Sequence, residues 1–139
     1  MGRDYKVIIN TSPKNRPRDY ELSAALLLAE HFKSDVIFLR PISMKSPDLL
    51  INGKIWELKS PTGNSKNTIS NNFKTARKQS LNIIIDLRRC KLHEQNAIAK
   101  ITYSIAKRRR KMGDILVITK HRKILDFSER NSYNNSNRR

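Results

Sequence analysis

The stretch Asp48-Leu49-Leu50-Ile51-Asn52-Gly53-Lys54-Ile55-Trp56-Glu57-Leu58-Lys59 leaves the backbone little choice of conformation. Two apolar runs flank Asn-Gly, the dipeptide that best tolerates the positive φ angles of a two-residue hairpin turn. A turn there pairs Ile51 with Lys54, Leu50 with Ile55, Leu49 with Trp56, and Asp48 with Glu57. Leu49, Ile51, Trp56 and Leu58 then share one face, a coherent core surface. On the other face Asp48 and Glu57 stand opposite each other, with Cβ atoms ~5 Å apart. Lys59, two residues beyond Glu57, shares their face. Leu50 and Ile55 are the apolar exceptions there, close to the turn.

The rest of the chain reads as elements around this hairpin. Residues 18–32 form a helix, with Asp19 as N-cap candidate and Leu22, Ala25, Leu26, Ala29 and Phe32 at helical spacing. Val36-Ile37-Phe38-Leu39 is a β-branched and aromatic strand closed by Pro41. The polar segment 60–68 leads into a helix from about Ile69 to Gln79. Leu81–Leu87 is a buried-type strand, and a longer helix runs from about Glu94 to Lys111 with Gly113 as its stop. Ile115–Ile118 and Ile124–Phe127 are a final strand pair around a basic turn. Residues 1–17 are a lead-in with one short apolar run, Val7-Ile8-Ile9. The Asn- and Arg-rich tail, 128–139, is expected to be disordered. The order αβββαβαββ describes one α/β (α+β) domain, 18–127, with a central mixed β-sheet flanked by helices.

Charge narrows the partners. Lys and Arg number 29 against 12 Asp and Glu, a formal net charge of +17. Such a surplus opposes compaction by self-repulsion and favours a polyanion, whose displaced counterions drive association. Cys90 is the only cysteine, which excludes an internal disulfide and a cysteine-rich zinc site. No apolar run approaches the ~20 residues of a membrane span, and no signal-peptide pattern is visible. Ser-His-Asp order, a glycine-rich nucleotide loop and a Cys/His metal cluster are all missing from the pattern. His93 reads as a surface residue, and His31 and His121 offer no catalytic geometry.

Two facing carboxylates repel, and the arrangement becomes favourable if a divalent cation lies between them. Mg²⁺ (or Mn²⁺) takes one or two carboxylates together with phosphate oxygens and water. It can activate water and stabilise charge on a phosphodiester, while Lys59 can stabilise the transition state. The plain alternative is a strand-capping Asp48 with Glu57 and Lys59 on a solvated face. The turn-fixed register and the basic surplus favour the catalytic reading.

Pro47-Asp48-x₈-Glu57-x-Lys59 resembles the PD-(D/E)xK nuclease signature. That resemblance implies Asp48 and Glu57 as metal ligands, Lys59 as catalytic residue, Glu21 of the first helix as a third acid, and Lys78-Gln79 on the helix after the hairpin. A wider resemblance covers residues 18–127. The Glu21 helix, Pro47-Asp48, Ile51-Asn52-Gly53, Trp56-Glu57-Leu58-Lys59-Ser60-Pro61, Gly63-Asn64 and Lys78-Gln79 are similar to the C-terminal tRNase domains of bacterial contact-dependent growth inhibition toxins. It implies tRNA cleavage in the cytoplasm of a target bacterium, delivery as part of a larger secreted toxin, and neutralisation by a cognate immunity protein. Some toxin tRNases of this type are barnase-like and cleave without metal; Glu57 and Lys59 would then act as base and stabiliser on a ribose 2′-OH.

Nucleic-acid contacts are expected from Ser60, Thr62, Asn64, Lys66 and Thr68, in a loop entering a helix whose amides can bind phosphate. Lys74, Lys78, Gln79, Arg88, Arg108 and Arg109 are the further candidates. Charge does not separate RNA from DNA, so a DNase stays open, as does a non-catalytic binding module. An aromatic content of 6% argues against a base-stacking platform of the single-strand-binding type.

Overall fold

The structure, a computed structural model, describes residues 5–10, 16–39, 48–65, 67–72, 82–106 and 113–127. Expectations for Lys66, for Lys74, Lys78 and Gln79, for Arg108 and Arg109, and for the tail fall outside them. The chain divides into two compact units, Met1–Leu58 and Lys59–Arg139, and the boundary falls inside a strand. The class is α+β with parallel and antiparallel strand pairs, as the sequence predicts.

The first unit holds β1 (Val7–Ile9), α1 (Asp19–Phe32), β2 (Val36–Phe38), β3 (Asp48–Ile51) and most of β4 (Lys54–Lys59). The lead-in thus contributes a strand. β1 runs parallel to β2, which requires a crossover, and α1 supplies it. β3 pairs antiparallel with both β2 and β4. α1 packs on β1 and β2 through Ala24, Ala25, Leu28 and Ala29, all buried.

Two details of α1 correct the sequence reading. Leu26 is 59% exposed, because the helix presents its small alanines to the sheet and so turns Leu26 outward. The residue preceding the helix is Arg18, with extended backbone, so Asp19 lies in the first turn rather than at the cap. Its charge still suits the positive helix start.

In the second unit residues 68–72 are helical, followed by β5 (Ile83–Asp86), α2 (Glu94–Ala106), β6 (Ile115–Ile118) and β7 (Ile124–Asp126). β5 and β6 are parallel, joined across α2, and β7 returns antiparallel to β6. Ile83, Ile85, Ile115 and Val117 from the strands meet Ala97 and Ile101 of α2, with Ile69 and Phe127, in one core. Each such isoleucine contributes ~1.5–3 kcal/mol by burial.

Candidate active site on the Asp48–Lys59 hairpin

The hairpin has the register its turn demands. Asn52 and Gly53 both take positive φ, 51° and 80°, the type I′ pattern that matches strand twist. Asp48 then pairs with Glu57, Leu49 with Trp56, Leu50 with Ile55, and Ile51 with Lys54. Leu49, Ile51, Trp56 and Leu58 are buried, and the Trp56 ring lies 5.7 Å from that of Phe32 on α1. β3 is held on both sides. Besides its pairing with β4, the Asp48 carbonyl accepts the Leu39 N–H at 2.9 Å.

The opposite face is graded. Ile55 beside the turn is exposed, Leu50 and Asp48 are half-buried, and Glu57 is only 1% exposed, with Lys59 buried as well. Strand alternation brings Lys59 onto the face of Glu57. An acid and an ammonium placed this deep are uncommon unless hydrogen-bonded or paired. Immediately after them, the Ser60 hydroxyl oxygen is buried and has no hydrogen-bond partner among the described residues. An orphaned buried hydroxyl costs ~1–3 kcal/mol, and a bound ligand would recover it.

Glu21 does not join this pair. Its carboxylate accepts the backbone N–H of Arg18 at 2.8 Å, as part of the start of α1. Among the described residues no group of three or more His, Cys, Asp or Glu side chains is placed to hold a metal ion, so the three-acid set is not assembled. The two carboxylates that are opposed, Asp48 and Glu57, are still the donor types and number that Mg²⁺ accepts alongside phosphate and water.

The expected nucleic-acid contacts divide as well. Thr62 and Asn64 are exposed, whereas the Thr68 hydroxyl bonds the Ser65 backbone N–H (3.2 Å) at the start of the helical segment. Arg88 is engaged internally. Its Nε and Nη2 donate to the Asp86 carboxylate at 2.9 and 2.8 Å, and its backbone N–H adds a third bond at 3.1 Å. Asp86 is wholly buried and the Arg88 side chain is 13% exposed, so this cation steadies the end of β5. The sequence does carry the signal, an Arg two residues after a strand-end Asp, but only burial reveals it as a pair. A second device absent from the sequence reading is Lys120, whose ammonium donates to the carbonyls of Cys90 (2.6 Å) and Leu92 (2.8 Å).

With this geometry in hand, the chain can be placed among known proteins. Its fold resembles a chain of the solved "CdiA-CT/CdiI toxin and immunity complex from Burkholderia pseudomallei", with a TM-score of 0.56 and 21% identity over 75% of this chain and 78% of that one. Among curated proteins nothing matches the sequence significantly. Residues 45–124, more than half of the chain and the whole of the hairpin, match the family model "Contact-dependent growth inhibition CdiA C-terminal domain". The chain belongs to that family, and is a bacterial toxin domain. Among the described residues no helix is long and apolar enough to cross a membrane.

Proposed function

We propose that this toxin domain is an endonuclease that hydrolyses phosphodiester bonds in RNA, with tRNA as the favoured substrate. The observation that carries this reading is the register of the hairpin, which opposes Asp48 and Glu57 and sets Lys59 on the same face. Asp48 and Glu57 would hold a divalent cation such as Mg²⁺ between protein and phosphate; the cation would supply Lewis-acid charge stabilisation. Lys59 stabilises the negative charge developing on the phosphorus oxygens. The Ser60 hydroxyl, buried without a partner among the described residues, donates to a substrate oxygen. The net charge of +17 holds the polyanion by counterion release. The preference for tRNA rests on the sequence resemblance alone. A cognate immunity protein is the expected partner, by analogy with the toxin and immunity complex of similar fold, and the site of action is the cytoplasm of the target cell after delivery within a larger protein.

A second reading is favoured by Glu21 lying apart from the acidic pair. Here Glu57 acts as general base on a ribose 2′-OH while Lys59 and Ser60 stabilise the phosphorane, without metal. The deciding experiment incubates wild type, Asp48→Ala and Lys59→Ala with total tRNA and with duplex DNA, each in Mg²⁺ and in EDTA. The first reading expects tRNA cleavage by wild type in Mg²⁺ only, reduced at least ~10²-fold in either variant. Cleavage that persists in EDTA and leaves 2′,3′-cyclic phosphate ends selects the metal-free mechanism. Cleavage of DNA alone assigns a DNase, and retained tRNA binding with no cleavage by wild type leaves only a binding module.

A further inference from the structure

The second unit contains a cleft of about 650 Å³ lined by Asn64, Leu92, Asn96, Ala99, Lys100 and Tyr103. On α2, Asn96, Lys100 and Tyr103 fall four and then three residues apart and therefore share a face. It lies away from Ala97 and Ile101, the positions buried in the core. Tyr103 is 61% exposed, a large aromatic surface that the core leaves to solvent.

The wall formed by Asn64 is fixed from both sides. The preceding carbonyl, of Gly63, accepts the Lys91 N–H at 3.1 Å and faces the Cys90 thiol at 3.7 Å. A Cβ at Gly63 would come within 2.6 Å of Thr68 Oγ1, so any larger residue there would force the Thr68 side chain to shift. On the other side Ser65 is tied to Thr68 by its backbone N–H and its hydroxyl, each at 3.2 Å. Asn64 is thus presented by a braced loop.

We propose that this cleft receives an unpaired nucleobase of the RNA substrate. Tyr103 offers a stacking face, which any base can use. The amides of Asn64 and Asn96 each present a donor and an acceptor, the mixed pattern found along base edges. Lys100 meets the adjoining phosphate. The inference rests on the nuclease reading for the identity of the polymer. It also fits it in space, since Asn64 follows Lys59 by five residues, a reach of at most about 18 Å, or a few nucleotides along an extended strand.

The test uses a short single-stranded RNA carrying 2-aminopurine and a terminal fluorophore. The protein is the full chain with Lys59→Ala, so that the probe survives. Adding Tyr103→Ala is expected to weaken binding about tenfold by anisotropy and to relieve quenching of the 2-aminopurine. Tyr103→Phe keeps the ring and retains both properties, and Asn96→Ala gives a smaller loss. Duplex RNA of the same sequence binds all variants equally. Unchanged single-strand affinity and quenching in Tyr103→Ala overturns the proposal, and so does an equal loss on the duplex. If Tyr103→Ala impairs only capture of the cognate immunity protein, the face is a protein-docking surface and the proposal fails. Wild-type cleavage of tRNA is scored separately. Its absence, with the Tyr103 effect intact, refutes the nuclease and spares the base cleft.

Discussion

The two units share a plan. Each sets two parallel strands either side of a helix and then returns an antiparallel strand: β1-α1-β2-β3 in one, β5-α2-β6-β7 in the other. Each also buries an acid on a strand, Glu57 at 1% exposure and Asp86 at 0%. What differs is the neighbour. Asp86 receives three hydrogen bonds from Arg88, two residues along the chain. Glu57 is placed directly across from a second acid, Asp48. A buried acid with its own bidentate arginine is internally satisfied, so its contribution is to structure. Glu57 instead shares its strand face with both a like charge, Asp48, and the Lys59 ammonium, and buried groups of opposite and like sign gathered this way concentrate where chemistry is done.

The sharpest way to break that comparison is to remove the acid from the second unit. Asp86→Ala strands the Arg88 guanidinium in a largely buried setting, and breaking a buried pair from one side costs about 3–5 kcal/mol. Thermal or urea denaturation should show a large fall in stability for Asp86→Ala. A loss below ~1 kcal/mol would mean that the pair is incidental and that Asp86 does not serve the fold in the way that sets it apart from Glu57. Replacing Arg88 alone with Met should also be damaging, because it removes both guanidinium bonds and leaves the buried carboxylate with the backbone N–H of residue 88.

The glycines of the two units sharpen the contrast at smaller scale. Gly53 has φ +80° and nothing within 4 Å of an added Cβ, so Gly53→Ala meets only backbone strain, about 1 kcal/mol. At Gly63 the obstacle is steric, since the new Cβ lies 2.6 Å from Thr68 Oγ1. Thr68 must rotate and release Ser65, a loss of about 2 kcal/mol. The two mechanisms separate in a double mutant: Thr68→Ala should absorb most of the extra cost of Gly63→Ala and none of that of Gly53→Ala. Chemical denaturation of the three single and two double variants measures both couplings. Equal coupling at the two sites would show that a single mechanism governs both.

How far the sequence foretold this molecule follows from where each structural decision is made. The hairpin register was legible because Asn52-Gly53 is a local signal and the alternation of Leu49, Ile51, Trp56 and Leu58 agrees with it; local and global preference coincide. The helices and the strands β2, β5, β6 and β7 were legible from periodicity and β-branching for the same reason. Leu26 was misplaced because helical spacing fixes a stripe only to within a residue or so; an alanine-rich face lets the sheet select the small side chains. The place of Glu21 could not be read either. Spacing puts it on the first helix, but only coordinates show its carboxylate bonded to the Arg18 N–H rather than grouped with Asp48 and Glu57. Arg88 looked like a phosphate ligand because nothing in a linear string reports that Asp86 is buried beside it. Tyr103 carries no signal in the sequence, since a lone aromatic on a helix gains meaning only from its exposure at a cleft.

The smallest expected effect tests the other half of the comparison, and its sign is the informative part. Asp48→Asn keeps the size of the side chain and removes one of two like charges opposed across a hairpin, a repulsion of a few tenths of a kcal/mol. In metal-free buffer of low ionic strength the variant should therefore be slightly more stable than wild type, by thermal denaturation, while cleaving RNA far more slowly. Millimolar Mg²⁺ should reverse the order, because a cation bound by Asp48 and Glu57 stabilises the folded wild type by mass action and the amide is a poorer ligand. Added salt should shrink the metal-free gap, since Asp48 is only half-buried and its charge is screened. If Asp48→Asn is instead less stable than wild type by a kcal/mol or more in the absence of metal, then Asp48 serves the fold as Asp86 does, and the contrast between the two units disappears.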